Sequence, residues 1–232
     1  MTKKILIKLS GEALANGGSN YREDVLADIT TQVSHLMEAG HQVALVPGGG
    51  NLFRGKELIE RVNVKRPTAD YIGMLAIVQN SLVLRDYFES HGTQARVCSA
   101  ITMQRVCEPY IPLRVERHLE KGRVVILSAG TGNPYVSSDT TSVMRALELG
   151  FDRVVMAKNG IDGVYTADPK IDPTATKIKR ITASEILEKQ LGFADAAAVS
   201  LALENNLPLQ VISMNDIDKL EQEDIGTMVI PE

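Results

Sequence analysis

The segment Val43 to Lys56, VALVPGGGNLFRGK, ends an apolar, β-branched run at three consecutive glycines and continues as a polar, basic stretch. Val43 to Val46 reads as a buried strand, and Pro47 ends it by removing a backbone donor. Gly48, Gly49 and Gly50 then stand at the strand's carboxyl end. Three residues without Cβ can turn sharply and bring their N–H groups against a bulky anion, so the segment reads as a phosphate cradle. Asn51 is expected to cap a following helix whose dipole adds positive potential at the same place. Arg54, one turn on, is expected to fork onto a phosphate.

Two familiar nucleotide motifs come close and fail. Gly50 to Glu57 has the G-x-x-x-x-G-K spacing of a P-loop, but Glu57 stands where a Ser or Thr hydroxyl must hold Mg²⁺. Neither Gly48-Gly50-Phe53 nor Gly130-Gly132-Tyr135 completes the dinucleotide fingerprint G-x-G-x-x-G. The cradle therefore belongs to another way of binding phosphate.

A chain of 232 residues is long enough for one large domain, which we expect to span residues 1–232. Its formal net charge of −4 argues against a nucleic-acid partner, which would need a basic footprint. Two cysteines, Cys98 and Cys107, are too few for a disulfide framework, and Lys8 breaks the only early apolar run that resembles a signal peptide. No run approaches the ~18 apolar residues of a membrane span. A cytoplasmic protein is expected.

The remaining pattern repeats strand, small-residue loop, helix. Lys4 to Leu9 is almost continuously apolar and belongs inside a sheet covered on both faces. Lys8 interrupts it near the carboxyl end; since an unpaired buried ammonium costs several kcal/mol, this lysine is expected to point at a negative partner. Helices are read at Arg22 to Ala39, Thr68 to His91, Pro112 to Gly122, Thr140 to Leu149, Ala183 to Leu191 and Asp195 to Asn205. Strands are read at His41 to Val46, Arg96 to Cys98, Arg123 to Leu127, Val154 to Ala157, Pro208 to Ile212 and Thr227 to Ile230. The segment Asp168 to Thr182, with two Asp-Pro steps, reads as an exposed loop or hairpin. Asp70 and Asp139 both fall near predicted helix starts, where a carboxylate is favoured anyway. The pattern implies an α/β fold with a mostly parallel sheet and its ligand loops along one edge.

Five stretches in this order carry a resemblance: KLSGEAL at Lys8 to Leu14, GGGNLFRG at Gly48 to Gly55, DYIGMLA at Asp70 to Ala76, SAGTGNP at Ser128 to Pro134 and DGVYTADP at Asp162 to Pro169. Together they resemble the bacterial uridylate (UMP) kinases of the amino acid kinase superfamily. The resemblance implies a three-layer sandwich, a central mostly parallel sheet between helices, and transfer of the γ-phosphoryl group of ATP to UMP with Mg²⁺. It further implies a homohexamer built from dimers, activated by GTP and inhibited by UTP.

By position, the resemblance implies that Lys8, Leu9, Ser10, Gly11, Gly50 and Arg54 meet ATP, with Asn159, Tyr165 and Asp168 on the same side. Gly49, Asp70, Thr131, Gly132, Asn133, Pro134, Tyr135, Val136, Ser137 and Ser138 are implied to hold UMP. No residue is assigned as a direct metal ligand. The acceptor is a phosphate oxygen already ionised at neutral pH, so the reaction needs no general base. Lys8, Asp139 and Asp168 are the expected catalytic residues, the lysine on the transferred group and the two carboxylates orienting it or the metal. Two other readings remain: a relative that phosphorylates a carboxylate or carbamate, and a noncatalytic nucleotide sensor.

Overall fold

The structure, a computed structural model, describes residues 3–15, 19–167, 169, 171–222 and 224–232. From the amino end, β1 (Lys4–Leu9), a 3₁₀ turn (Gly11–Leu14), α1 (Glu23–Glu38) and β2 (Gln42–Pro47) form a parallel βαβ unit. Next come α2 (Gly55–Val62), α3 (Arg66–Ser90), β3 (Ala95–Ser99), β4 (Glu108–Pro109), α4 (Pro112–Glu120) and β5 (Val124–Ser128). The chain continues through α5 (Ser138–Leu149), β6 (Arg153–Lys158) and an antiparallel ribbon of β7 (Val164–Tyr165) with β8 (Lys177–Ile178). It closes with β9 (Arg180–Thr182), α6 (Ala183–Glu188), α7 (Ala196–Glu204), β10 (Leu209–Ser213) and β11 (Thr227–Ile230).

The nine-stranded sheet has the order β4-β3-β5-β2-β1-β6-β10-β11-β9, and only β10 and β11 pair antiparallel. The α/β architecture with a mostly parallel sheet between helices is thus as expected. β1 lies between β2 and β6, where the winding direction reverses, and the register sets Leu9 level with Pro47 on one side and Ala157 on the other. The small-residue loops leave together from those levelled ends, at the place where such sheets bind ligands.

Strand parity sorts the core. Ile5, Ile7 and Leu9 of β1 join Leu26, Ile29 and Val33 of α1 and Leu84 and Phe88 of α3 on one face. Leu6 joins Val143 and Ala146 of α5 and Ala198 and Ala202 of α7 on the other. Phe88 is fully buried, and truncating such a side chain to alanine costs about 3–5 kcal/mol. It anchors α3, the helix from which two of the site's loops hang.

Boundaries differ from the sequence reading where local chemistry overrides periodicity. α3 starts at Arg66 rather than Thr68, because Pro67 is preorganised for the first turn. Asp70 therefore lies beyond that turn, and the helix dipole does not account for it. α5 starts at Ser138, capped by Ser137, whose hydroxyl accepts from the backbone N–H groups of Asp139 and Thr140. Asp139 is not the cap. Within the expected loop or hairpin at 168–182, β8 forms a ribbon and β9 adds a parallel strand beside β11, a pairing too short to read from three residues.

Candidate active site

The glycine segment packs against the turn that follows β1. Gly48 N–H donates to Leu9 O at 2.9 Å, and a Cβ on Gly11 would lie 2.6 Å from both Gly48 O and Gly50 N. No side chain fits between these two backbones. Gly49 is pressed against α3, where a Cβ would come within 3.0 Å of Gly73 O. Lacking room for side chains, the loop turns backbone toward the strand ends, as an anion cradle requires.

Asn51 does not cap α2, which begins at Gly55 with Arg54 in the N-cap position. Its amide is engaged elsewhere: Asn51 Nδ2 donates to Asn80 Oδ1 at 3.1 Å, and Asn80 Nδ2 donates back to Asn51 Oδ1 at 2.7 Å and to Gly48 O at 2.7 Å. Asn80 is 0% exposed on α3. This buried pair pins the glycine loop, and the reading from sequence missed it; the available signal was a polar Gln-Asn-Ser step inside an otherwise apolar helix. Arg54 pairs with Glu12 at 3.1 Å, both side chains being exposed, and the Glu12 side chain lies against Gly50.

Two lysines share one carboxylate. By parity Lys8 projects to the same face as Leu6, toward α5, and Lys158 to the same face as Val154 and Met156. Lys8 Nζ lies 3.0 Å from Asp139 Oδ1 and Lys158 Nζ 3.9 Å from Oδ2. The Lys8 contact is an ion pair without hydrogen-bond alignment, and among the described residues the buried Asp139 Oδ1 has no hydrogen-bond partner. The ammonium's protons remain available for another anion. Burial pushes Lys158 down from the usual lysine value; Asp139 opposes this, Lys8 adds to it, and Asp195 opposes it more weakly. Two near-buried cations converge on Asp139, with Asp195 acting from farther off, so the site presents a pair of ammonium groups to a polyanion.

Asp195 supports that cluster from α7. It caps the helix by accepting from Ala198 N–H at 2.9 Å, and its carboxylate also accepts from Thr140 Oγ1 at 2.7 Å and from Ser137 Oγ. Burial alone would raise its pKa, but the hydrogen bonds from Ser137, Ala198 and Thr140 outweigh that and hold it below the usual aspartate value. The first turn of α5, carrying Asp139, is tied to α7 through this carboxylate.

A cavity opens beside the cradle, lined among others by Gly49, Gly50, Asp70, Thr131, Val136 and Ser138. Its far wall, the loop from Ser128 to Ser138, holds Ala129, Gly130, Gly132 and Tyr135 in the left-handed region, at φ of 60°, 60°, 80° and 67°. The glycines adopt it freely, but at Ala129 and Tyr135 such backbone persists only when its surroundings over-determine it. Ser81 Oγ bonds Ser128 Oγ at 2.9 Å, Arg145 donates to Gly130 O at 3.2 Å, and Tyr135 N–H donates to Asp70 Oδ2 at 2.8 Å.

Of the residues expected around UMP, Gly49, Asp70, Thr131, Val136 and Ser138 thus converge on one cavity, together with Gly50, which was expected on the ATP side. Gly132, whose Cβ would meet Ala100 O at 3.3 Å, Asn133, Pro134 and Tyr135 shape the loop around it, and Ser137 caps α5. Leu9, Ser10 and Gly11 lead from β1 into the cradle. Asn159 lines a separate cavity with Ala13, Arg22, Met214 and Asn215, and Tyr165 Oη donates to Asp162 Oδ1 at 2.7 Å. Asp168 lies outside the described residues.

Comparison with known proteins gives one consistent match. The profile of the amino acid kinase family matches residues 3–213. A uridylate kinase of Rhodococcus jostii is 48% identical over 230 residues, covering 97% of this chain and 94% of that protein. One of Pediococcus pentosaceus is 45% identical over 232 residues, covering 98% and 96%. Among solved structures, UMP kinase from Bacillus anthracis superposes with a TM-score of 0.93 at 36% identity, over 99% of this chain and 96% of the other. UMP kinase from Ureaplasma parvum gives 0.93 at 33% identity, over 99% of both chains.

Proposed function

The chain belongs to the amino acid kinase family, and from that premise we propose that it is an ATP-dependent phosphotransferase that converts UMP to UDP. The observation that carries this reading is the meeting of Lys8 and Lys158, near the carboxyl ends of β1 and β6, at Asp139 in the first turn of α5, next to Ser138 of the cavity that Gly49 and Gly50 also line. One donor and one acceptor polyanion meet at this pair of ammonium groups.

In this mechanism Lys8 and the amides of Gly49 and Gly50 hold the phosphates of ATP, and the acceptor phosphate enters from the cavity of Asp70 and Thr131. No side chain needs to remove a proton. Lys8 follows the charge as it spreads over the transferred group, with Lys158 adding a second cation, and Asp139 keeps the two ammonium groups from repelling each other out of position. Asp70 accepts a hydrogen bond from a ribose hydroxyl. Among the described residues Asp139 is the carboxylate that would orient Mg²⁺, acting through water as that ion does beside phosphates, while staying paired with Lys8. When bound with ATP, Mg²⁺ neutralises phosphate charge. A place in pyrimidine nucleotide synthesis in the cytoplasm follows from the reaction. No helix among the described residues is long and apolar enough to cross a membrane.

Regulation by GTP as activator and UTP as inhibitor, in a homohexamer built from dimers, completes the proposal. The exposed Tyr71 and Leu75 on α3 offer an apolar strip for a partner subunit. The test is ADP release by purified protein with Mg·ATP and a panel of UMP, CMP, dUMP, acetylglutamate and aspartate. Turnover with UMP is expected. Turnover only with a carboxylate acceptor, or nucleotide binding without turnover, would replace this reading.

A further inference from the structure

Asp70 is not a free carboxylate facing the cavity. Arg66, one helical turn earlier on α3, spans it, with Nε 2.8 Å from Oδ1 and 2.9 Å from Oδ2. The backbone N–H of Tyr135 also donates to Oδ2, at 2.8 Å. The Tyr135 ring, 68% exposed, lies under the Arg66 guanidinium at 5.4 Å from Cζ to ring centroid. Arg66 therefore touches both partners of the contact that closes the loop onto α3. An ionised carboxylate accepts about four hydrogen bonds, two per oxygen. The single Nε–H of Arg66 is shared between the two oxygens and the Tyr135 N–H adds a second donor on Oδ2, so among the described residues Oδ1 is the less engaged oxygen and keeps an acceptor site. The side chain's remaining exposure is small, 19%, and the residue lines the cavity.

We propose that Arg66 is a specificity-determining positioning residue: it locks the Asp70 carboxylate so that one acceptor site, on Oδ1, is left for a ribose hydroxyl, and it thereby sets the preference for ribo- over deoxyribonucleotides. The inference rests on the reading of the cavity as the UMP site. Its physical basis is asymmetry. Without Arg66 the carboxylate can rotate about χ2, a broad two-fold torsion, and offer its oxygens to water as readily as to the sugar. A hydroxyl-reading site discriminates only while its acceptor is held and otherwise unpaired, because the penalty for the wrong substrate is that acceptor left empty.

The experiment measures kcat/KM for UMP and for dUMP, and KM for ATP, in the unaltered protein and in Arg66→Gln, Arg66→Lys and Asp70→Asn. The guanidinium is half exposed, so Arg66→Gln is expected to fold, and a thermal melt checks this. Arg66→Lys keeps the charge without the planar guanidinium and its Nε–H, and stands in if the first variant does not fold. The UMP/dUMP ratio is expected to fall about tenfold in Arg66→Gln, the lower end for a hydrogen bond to a charged group, and less in Arg66→Lys, with KM for ATP within twofold of the parent. A collapsed ratio in Asp70→Asn with an unchanged ratio in both Arg66 variants overturns the inference and leaves the ribose contact standing. Unchanged ratios in all three overturn the ribose contact and the inference with it. A collapse in the Arg66 variants alone means that Arg66 reads the nucleotide itself, which also overturns a role through Asp70.

Discussion

Asn80 is the residue on which the glycine loop hangs, and its replacement separates hydrogen bonding from packing. Asn80→Ala removes the donor to Gly48 O and breaks both bonds to Asn51, while Asn51 keeps its bond to Asn20 O at 2.9 Å. Gly48 is buried, so its carbonyl is left without that partner, at about 1–3 kcal/mol. Adding the lost packing of a fully buried side chain gives a destabilisation of roughly 2–4 kcal/mol. At about 2–4 °C per kcal/mol for a chain of this size, Tm falls by ~5–15 °C.

Asn80→Asp is the sharper variant, because it keeps the shape and turns the donor into an acceptor facing Gly48 O. The fold then favours the neutral acid, which raises that carboxyl's pKa above the ordinary ~3.9. The native state holds a proton that the unfolded state has lost, so stability falls as pH rises from 4 through the raised pKa and returns on acidification. The assay is urea unfolding of parent, Asn80→Ala and Asn80→Asp at pH 7 and pH 4.5. Asn80→Asp is expected to be at least as unstable as Asn80→Ala at pH 7, with its deficit against the parent narrowing at pH 4.5. A variant within about 0.5 kcal/mol of the parent at pH 7, the scatter of ordinary surface changes, would refute the pinning role.

Lys8→Ala is expected to lower kcat at least about a hundredfold, the scale of losing one preorganised transition-state donor; steady-state kinetics on a folded variant with near-normal kcat would contradict it. In Gly11→Ala the new Cβ would sit 2.6 Å from backbone atoms of Gly48 and Gly50, so the loop must shift. A shift approaching 1 Å costs on the order of a hundredfold in rate, to be read as kcat/KM for ATP. Asp195→Asn should cost about 1–2 kcal/mol in urea unfolding at pH 7 through the weakened cap and hydrogen bonds. Since the folded-state pKa of Asp195 is depressed, that stabilisation exists above the usual value of 3.8 and is lost as pH falls through the lower, native one, so the deficit of the variant should shrink as pH falls below 3.8.

The frame was readable because buried parallel strands announce themselves as continuous apolar runs: ILIKL, VALV, RVVIL and the run at Val154 each fall on an observed strand. The glycines and the lysine at the strand end followed from sterics and charge. Side-chain partnerships did not. Asn51 looked like a cap because caps are local, whereas its partner Asn80 is 29 residues away and visible only once α3 is packed. Asp70 reads as a carboxylate at a helix start because the apolar periodicity sets in only after Pro67, which itself sits in the first turn of α3. Four residues back stood Arg66, an i, i+4 spacing that the sequence displays and that explains the ion pair. Asp195 read as a helix start, but its bonds to Ser137 and Thr140 cross between two helices that no periodicity relates.

The most direct test of the central claim follows the phosphorus. Protein, Mg²⁺ and ATP labelled at the γ-phosphate are incubated with unlabelled UMP, and the products are separated and counted. The account predicts label in the β-position of UDP, in an amount equal to the ADP formed. Label appearing as inorganic phosphate, or remaining in ATP while UMP persists, would contradict it.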